Sequence, residues 1–74
     1  MKIYSTPSCT YCNQAKTMLT EKGIKYQDVD ISKDLEEKKK MIEYSGQMSV
    51  PVFDIDGKIL VGYNKALLLR VLAS

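Results

Sequence analysis

The sequence predicts an α/β fold: a mixed sheet covered by helices, with elements in the order β-α-β-α-β-β-α. Two observations carry this reading. A short apolar strand is followed by a helical segment and a second strand, which implies a parallel pair joined by a right-handed crossover. Near the C-terminal end, Asp56-Gly57 separates two apolar runs. That pair is a strong signal for a two-residue hairpin, so the last two strands are antiparallel.

Each element has its own signal. Ile3-Tyr4-Ser5, with Lys2 before it, is a short strand. Thr6-Pro7-Ser8 is a loop, because Pro7 biases Thr6 away from helix. From Thr10 to Lys22 the pattern is helical: Cys12, Ala15 and Leu19 recur at i, i+3 and i+7, with Met18 alongside. Gly23 supplies the left-handed stop. Ile24 to Ile31 reads as the second strand, although its alternation changes phase between Tyr26 and Val29. Ser32 is placed to cap a second helix running to about Ser45. Asp34, Glu36 and Glu37 near its start, followed by Lys38, Lys39 and Lys40, suit the helix dipole. Leu35 and Ile42 mark its buried face, and Gly46 stops it. Val50 to Ile55 and Lys58 to Val61 are the hairpin strands. Asn64 caps a last helix, Lys65 to about Ala73, whose leucines at 67, 68, 69 and 72 read as core and cover more than one face.

The 74 residues are read as one domain, 1–74, near the lower size for a domain on one unstapled core. The formal net charge of +2 is too small to argue for nucleic acid or an acidic membrane surface. No apolar run approaches the roughly 20 residues of a membrane helix. Met1-Lys2-Ile3-Tyr4-Ser5 runs into a polar loop without the apolar stretch of a secretory signal. A cytoplasmic home is expected, with no nucleic-acid or membrane partner and a monomeric state.

The chain has two cysteines and no histidine. Cysteines separated by only two residues close a small ring that removes little entropy from the unfolded chain, which makes a poor staple. In a reducing compartment such a pair reads as reactive. Cys9-Thr10-Tyr11-Cys12 lies where a loop meets a helix. A thiolate, not a thiol, attacks a disulfide. Unpaired N–H groups and the dipole at a helix N-terminus favour negative charge, so the Cys9 pKa is expected below that of a free thiol. No histidine serves as base, and Lys16 is a candidate helper one turn or more away. Cys12, at i+3, shares a helix face with Cys9. Cys9 is then the catalytic nucleophile and Cys12 the catalytic resolving thiol. A zinc half-site would need a dimer to bring four thiolates, so no metal is expected.

Taken together, the residues resemble the glutaredoxins, and in particular the glutaredoxin-like redoxins of the YruB and NrdH types. The likeness rests on Ile3 to Cys12, Val29-Asp30-Ile31, Ser45-Gly46, Ser49-Val50-Pro51-Val52, and Asp56-Gly57 followed by Val61-Gly62-Tyr63. It covers nearly the whole chain. It implies a thioredoxin-like fold, a four-stranded mixed sheet with three helices. It also implies a dithiol–disulfide oxidoreductase that reduces protein disulfides through Cys9 and Cys12. The Val50–Pro51 bond is expected to be cis and to face the dithiol, leaving the Val50 backbone to pair with an extended substrate. Thr10, Tyr11, Val50, Pro51, Gly62 and Tyr63 are the implied substrate-binding residues.

Three departures from the family pattern bear on the reductant. Thr10 stands where many glutaredoxins have proline. Thr6 stands where glutathione users often have lysine. Gly62-Tyr63-Asn64-Lys65 replaces the usual Gly-Gly and acidic residue. Gly62-Tyr63 instead resembles the Gly-aromatic pair of the NrdH-type redoxins. The expected partners are disulfide-containing proteins and an NADPH-dependent flavoprotein of the thioredoxin-reductase type, with glutathione as the alternative reductant. No tightly bound cofactor is expected. A [2Fe–2S] cluster shared between two chains, using the first cysteine and glutathione, is a further alternative. A third is a redox-silent adaptor. Lys38-Lys39-Lys40 reads as a solvated helix face.

Overall fold

Side chains that alternate along each strand divide between two layers of helices. The computed structural model describes residues 1–73. Its elements are β1 (Lys2–Ser5), α1 (Thr10–Glu21), β2 (Gln27–Asp30), α2 (Leu35–Ser45), β3 (Val52–Ile55), β4 (Lys58–Val61) and α3 (Lys65–Ala73). The strands form one sheet in the order β2-β1-β3-β4. β1 runs parallel to β2, with Ser5 opposite Asp30, and antiparallel to β3, with Tyr4 opposite Val52. The β3–β4 hairpin closes with Ile55 opposite Lys58. The four-stranded mixed sheet and three helices are the thioredoxin-like architecture that the resemblance implied.

Ile3, Phe53 and Ile55 pack against Ala15, Met18 and Leu19 of α1 and Leu68 of α3. Tyr4, Val29 and Val52 point the other way and pack with Ile31 and with Met41 of α2. Full burial of one large apolar side chain contributes roughly 1.5–3 kcal/mol, so Ile3, Leu19, Phe53 and Leu68, at 1 % exposure or less, anchor α1 and α3 to the sheet.

Five sequence expectations are corrected. β2 begins at Gln27, not Ile24. The Gly23 N–H donates to the Thr20 carbonyl at 3.1 Å and the Ile24 N–H to that of Leu19 at 2.9 Å, with Gly23 at φ 71°. This is a Schellman closure, and Ile24 is its apolar contact rather than a strand residue. The cap of α2 is Asp34, whose Oδ1 accepts from the Glu37 N–H at 3.1 Å. Ser32 is occupied elsewhere: its N–H and hydroxyl donate to Asp30 Oδ1 at 2.9 and 2.5 Å. With the helix starting at Leu35, its inner face centres on Met41, with Ile42 partly buried beside it, and Leu35 is 67 % exposed. β3 starts at Val52 because Pro51 has no N–H to give to a ladder. In α3, Leu68 is buried and Leu69 and Leu72 pack at the edge of the core, whereas Leu67 is exposed.

Candidate active site at one end of the sheet

The register places the site. β1 leaves the sheet at Ser5, opposite the start of β3, and β4 ends at Val61, opposite Val52. The loop carrying Cys9, the Val50-Pro51 segment and the Gly62-Tyr63 turn therefore emerge at the same end. The Gly62 N–H donates to the Pro51 carbonyl at 2.8 Å, with Gly62 at φ 80°. That φ suits glycine and strains other residues. The Val50–Pro51 bond is cis, as the resemblance implied. Pro51 is fully buried and Val50 half-buried against the Tyr4 and Val52 cluster.

Cys9 is the N-cap of α1, in an extended conformation (φ −80°, ψ 110°). Its Sγ accepts from the Cys12 N–H at 3.1 Å. The Cys9 N–H is held by the Thr6 carbonyl at 3.2 Å, and the Cys9 carbonyl accepts from the Asn13 N–H at 3.1 Å. Asn13 Nδ2 also reaches the Pro7 carbonyl at 3.5 Å. The sulfur thus occupies the place a serine or aspartate oxygen takes in an ordinary cap. No acidic side chain lies in the first turn of α1 to oppose an anion there. Cys9 and Cys12 are joined as a disulfide, with Cα atoms 5.2 Å apart. Cys12 is completely buried, and Cys9 keeps part of its surface exposed.

Other candidates fall at differing distances from this centre. Thr10 and Tyr63 both line an open groove of about 420 Å³ that runs along α1 to Glu21 and is also lined by Lys65. Tyr63 also packs against the α1–α3 core. Tyr11 stands outside that groove and is 64 % exposed. Lys16 is not directed to the sulfurs as a helper. Its Nζ is bound to Asp28 Oδ2 at 2.8 Å, and Asp28 Oδ1 accepts from the buried Ser5 hydroxyl at 2.7 Å. This Ser5–Asp28–Lys16 bracket ties β1, β2 and α1 together below the dithiol. Sequence reading missed it because its partners lie 23 and 12 positions apart. It also missed Gln47, which organises the turn before Val50. A polar residue inside a Ser-Gly-Gln-Met-Ser stretch was the available signal. Among the described residues no group of three or more histidines, cysteines or acids is placed to hold a metal ion. No described helix is long and apolar enough to cross a membrane.

Comparison with known proteins agrees with this geometry. The glutaredoxin family model matches residues 1–60. A glutaredoxin-like 8.6 kDa protein in the rubredoxin operon of Clostridium pasteurianum is 47 % identical over 66 residues, covering 89 % of this chain and 88 % of its own. Glutaredoxin 3 of Escherichia coli K12 is 34 % identical over 62 residues, covering 84 % of this chain and 75 % of its own. Among solved structures, the glutaredoxin-like NrdH-redoxin of Escherichia coli superposes with a TM-score of 0.81 over 95 % of this chain and 91 % of its own. At 17 % identity, that last likeness speaks for the fold alone.

Proposed function

The chain belongs to the glutaredoxin family and is a thiol–disulfide oxidoreductase, and from that premise we propose that it reduces protein disulfides and is recycled by a thioredoxin-reductase-type flavoprotein. The observation that carries the mechanism is Cys9 Sγ capping α1 and accepting the Cys12 N–H, with Cys12 buried behind it. A thiolate at that position is stabilised by the N–H and by the helix dipole. It attacks one sulfur of a substrate disulfide, forming a Cys9–substrate bond as the other substrate sulfur leaves as thiolate and takes up a proton. Cys12 then gives up its proton and attacks Cys9 Sγ. The second substrate sulfur leaves, and the protein is left with the Cys9–Cys12 bond. Two electrons have passed from the protein dithiol to the substrate.

Substrate approach is assigned to Val50 and Pro51, with the Val50 main chain pairing with an extended substrate segment. Thr10, Tyr11, Gly62 and Tyr63 border that approach. The choice of reductant is supported by what the site offers an anionic tripeptide. Thr6 gives no charge, and Asn64-Lys65 gives no carboxylate to meet an ammonium group. The Escherichia coli NrdH-redoxin, whose fold this chain shares, has a thioredoxin-like activity profile. The same reading has the chain acting in the cytoplasm as a monomer of one domain, without a tightly bound cofactor. Two coupled assays test it. NADPH oxidation with thioredoxin reductase and an oxidised protein substrate is expected to proceed. Turnover only with glutathione and glutathione reductase would overturn the choice of reductant.

A further inference from the structure

Between the end of α2 and Val50 the chain folds around one side chain. Gln47 Oε1 accepts from the Ser49 N–H at 2.6 Å, and Gln47 Nε2 donates to the Ser49 carbonyl at 3.0 Å. One carboxamide therefore holds both backbone groups of Ser49. Oε1 also receives the Ser49 hydroxyl, and Nε2 lies 3.3 Å from Ser45 Oγ. Ser45 Oγ lies 3.0 Å from the Gln47 carbonyl and 2.6 Å from that of Met41, which fastens the turn to the last turn of α2. Met48, between the clasped residues, is 63 % exposed.

Ser49 directly precedes Val50, whose main chain is the proposed pairing edge for substrate. The β1–β3 ladder begins only at Val52, so strand pairing does not orient the peptide groups at Val50. We infer that Gln47 is a positioning residue: its amide, closed on Ser49, holds the Val50 main chain ready to pair with a substrate strand. Fixing a segment in its bound conformation before binding reduces the ordering cost of the complex. The chemistry is specific to an amide, which offers one acceptor and one donor on a flat end group. Ionised glutamate has the same shape but only acceptors, and it would set an anionic oxygen against the Ser49 carbonyl.

This inference rests on the strand-pairing reading of Val50, and the test separates the two. The full-length reduced protein is assayed against three disulfides: an extended cysteine peptide, the same peptide N-methylated beside its cysteine, and bis(2-hydroxyethyl) disulfide. Gln47→Glu is expected to raise KM for the unmethylated peptide roughly tenfold, the factor that one or two lost neutral hydrogen bonds give. Its kcat, its Cys9 titration and its rate with the small disulfide stay at wild-type values. Gln47→Ala moves KM in the same direction by less. Wild-type KM in both variants, or an equal loss on the peptide and the small disulfide, would overturn the positioning role. If N-methylation leaves wild-type KM unchanged, strand pairing itself fails and the inference falls with it.

Discussion

At the Asp56-Gly57 end of the sheet the chain reverses on two residues, whereas at the Cys9 end three connections converge without extending the ladder. The hairpin turn is made by backbone conformation, with Asp56 at φ 51° and Gly57 at φ 91°, one side-chain bond from the Gly57 N–H to Asp54 Oδ1 at 3.1 Å, and pairing that runs up to it at Ile55 and Lys58. At the other end pairing stops at Val52 and Val61. Beyond that point isolated main-chain bonds, Gly62 N–H to the Pro51 carbonyl and Cys9 N–H to that of Thr6, are joined by side chains: Asn13 on the Pro7 carbonyl, Gln47 on Ser49, and Cys9 Sγ on its own helix. The difference separates two demands. A closed ladder stabilises but has nothing to offer a partner. A site that receives an extended chain has to leave main-chain groups outside the ladder and order them by other means.

Substitutions at each end test that separation. The largest expected effect is at the site. Cys9→Ser abolishes turnover, and Cys12→Ser stops after capture and accumulates a mixed disulfide, as read by mass spectrometry. Both variants keep the wild-type far-ultraviolet circular dichroism. Equal turnover in Cys9→Ser and wild type would instead mark the protein as a redox-silent adaptor. At the opposite end, Gly57→Ala places a Cβ in a left-handed conformation at a cost of about 1–2 kcal/mol. The urea midpoint falls while kcat does not change. A comparable loss of kcat would show that the ends are coupled.

A smaller effect belongs to the α2 side of the sheet. The Tyr4 hydroxyl is buried and has no hydrogen-bond partner among the described residues. Burial, and next the charge of Glu37, holds its pKa above the ordinary phenol value. A group whose folded pKa is raised keeps its full contribution to stability below the ordinary value. That contribution is lost as pH rises through the folded pKa. Tyr4→Phe removes an unpaired polar group, with an expected gain of about 1 kcal/mol at neutral pH and a shallower decline on the alkaline side in pH-dependent urea melts. The smallest effect is at Asp30, whose carboxyl the Ser32 hydroxyl, followed by its N–H, holds below the ordinary carboxylate value. Its contribution is present at neutral pH and is lost as acid carries the solution through that lowered pKa. Ser32→Ala returns the Asp30 titration toward the ordinary value, measurable by NMR.

Much of this molecule is legible in its sequence where the governing chemistry is local. Gly23 and Gly46 as stops, Asn64 as a cap and Asp56-Gly57 as a turn act within a few residues, and the structure has each of them in that role. Cys9 and Cys12 at the start of a helix belong to the same class. Ser32 failed as a cap because Asp30 competes for its hydroxyl, a choice between neighbours that composition does not decide. Leu35 failed as a core residue because it is the first residue of α2 and stays exposed there, while the buried position of that helix is Met41, more than a turn further on. Lys16 failed as a helper because its partner, Asp28, arrives from another strand. The cis Val50–Pro51 bond has no signal in composition or spacing, and only the resemblance to a family made it visible beforehand.

The unequal exposure of the two sulfurs has an outcome of its own. In the disulfide-joined state only Cys9 is open at the surface, and the reduced protein is expected to keep that single point of entry for electrophiles. An alkylating reagent would label Cys9 first and take a second equivalent only after the chain unfolds. On the proposed mechanism the same asymmetry would order each encounter with a client: the outer sulfur would make the bond, and the inner one would decide how long it lasts.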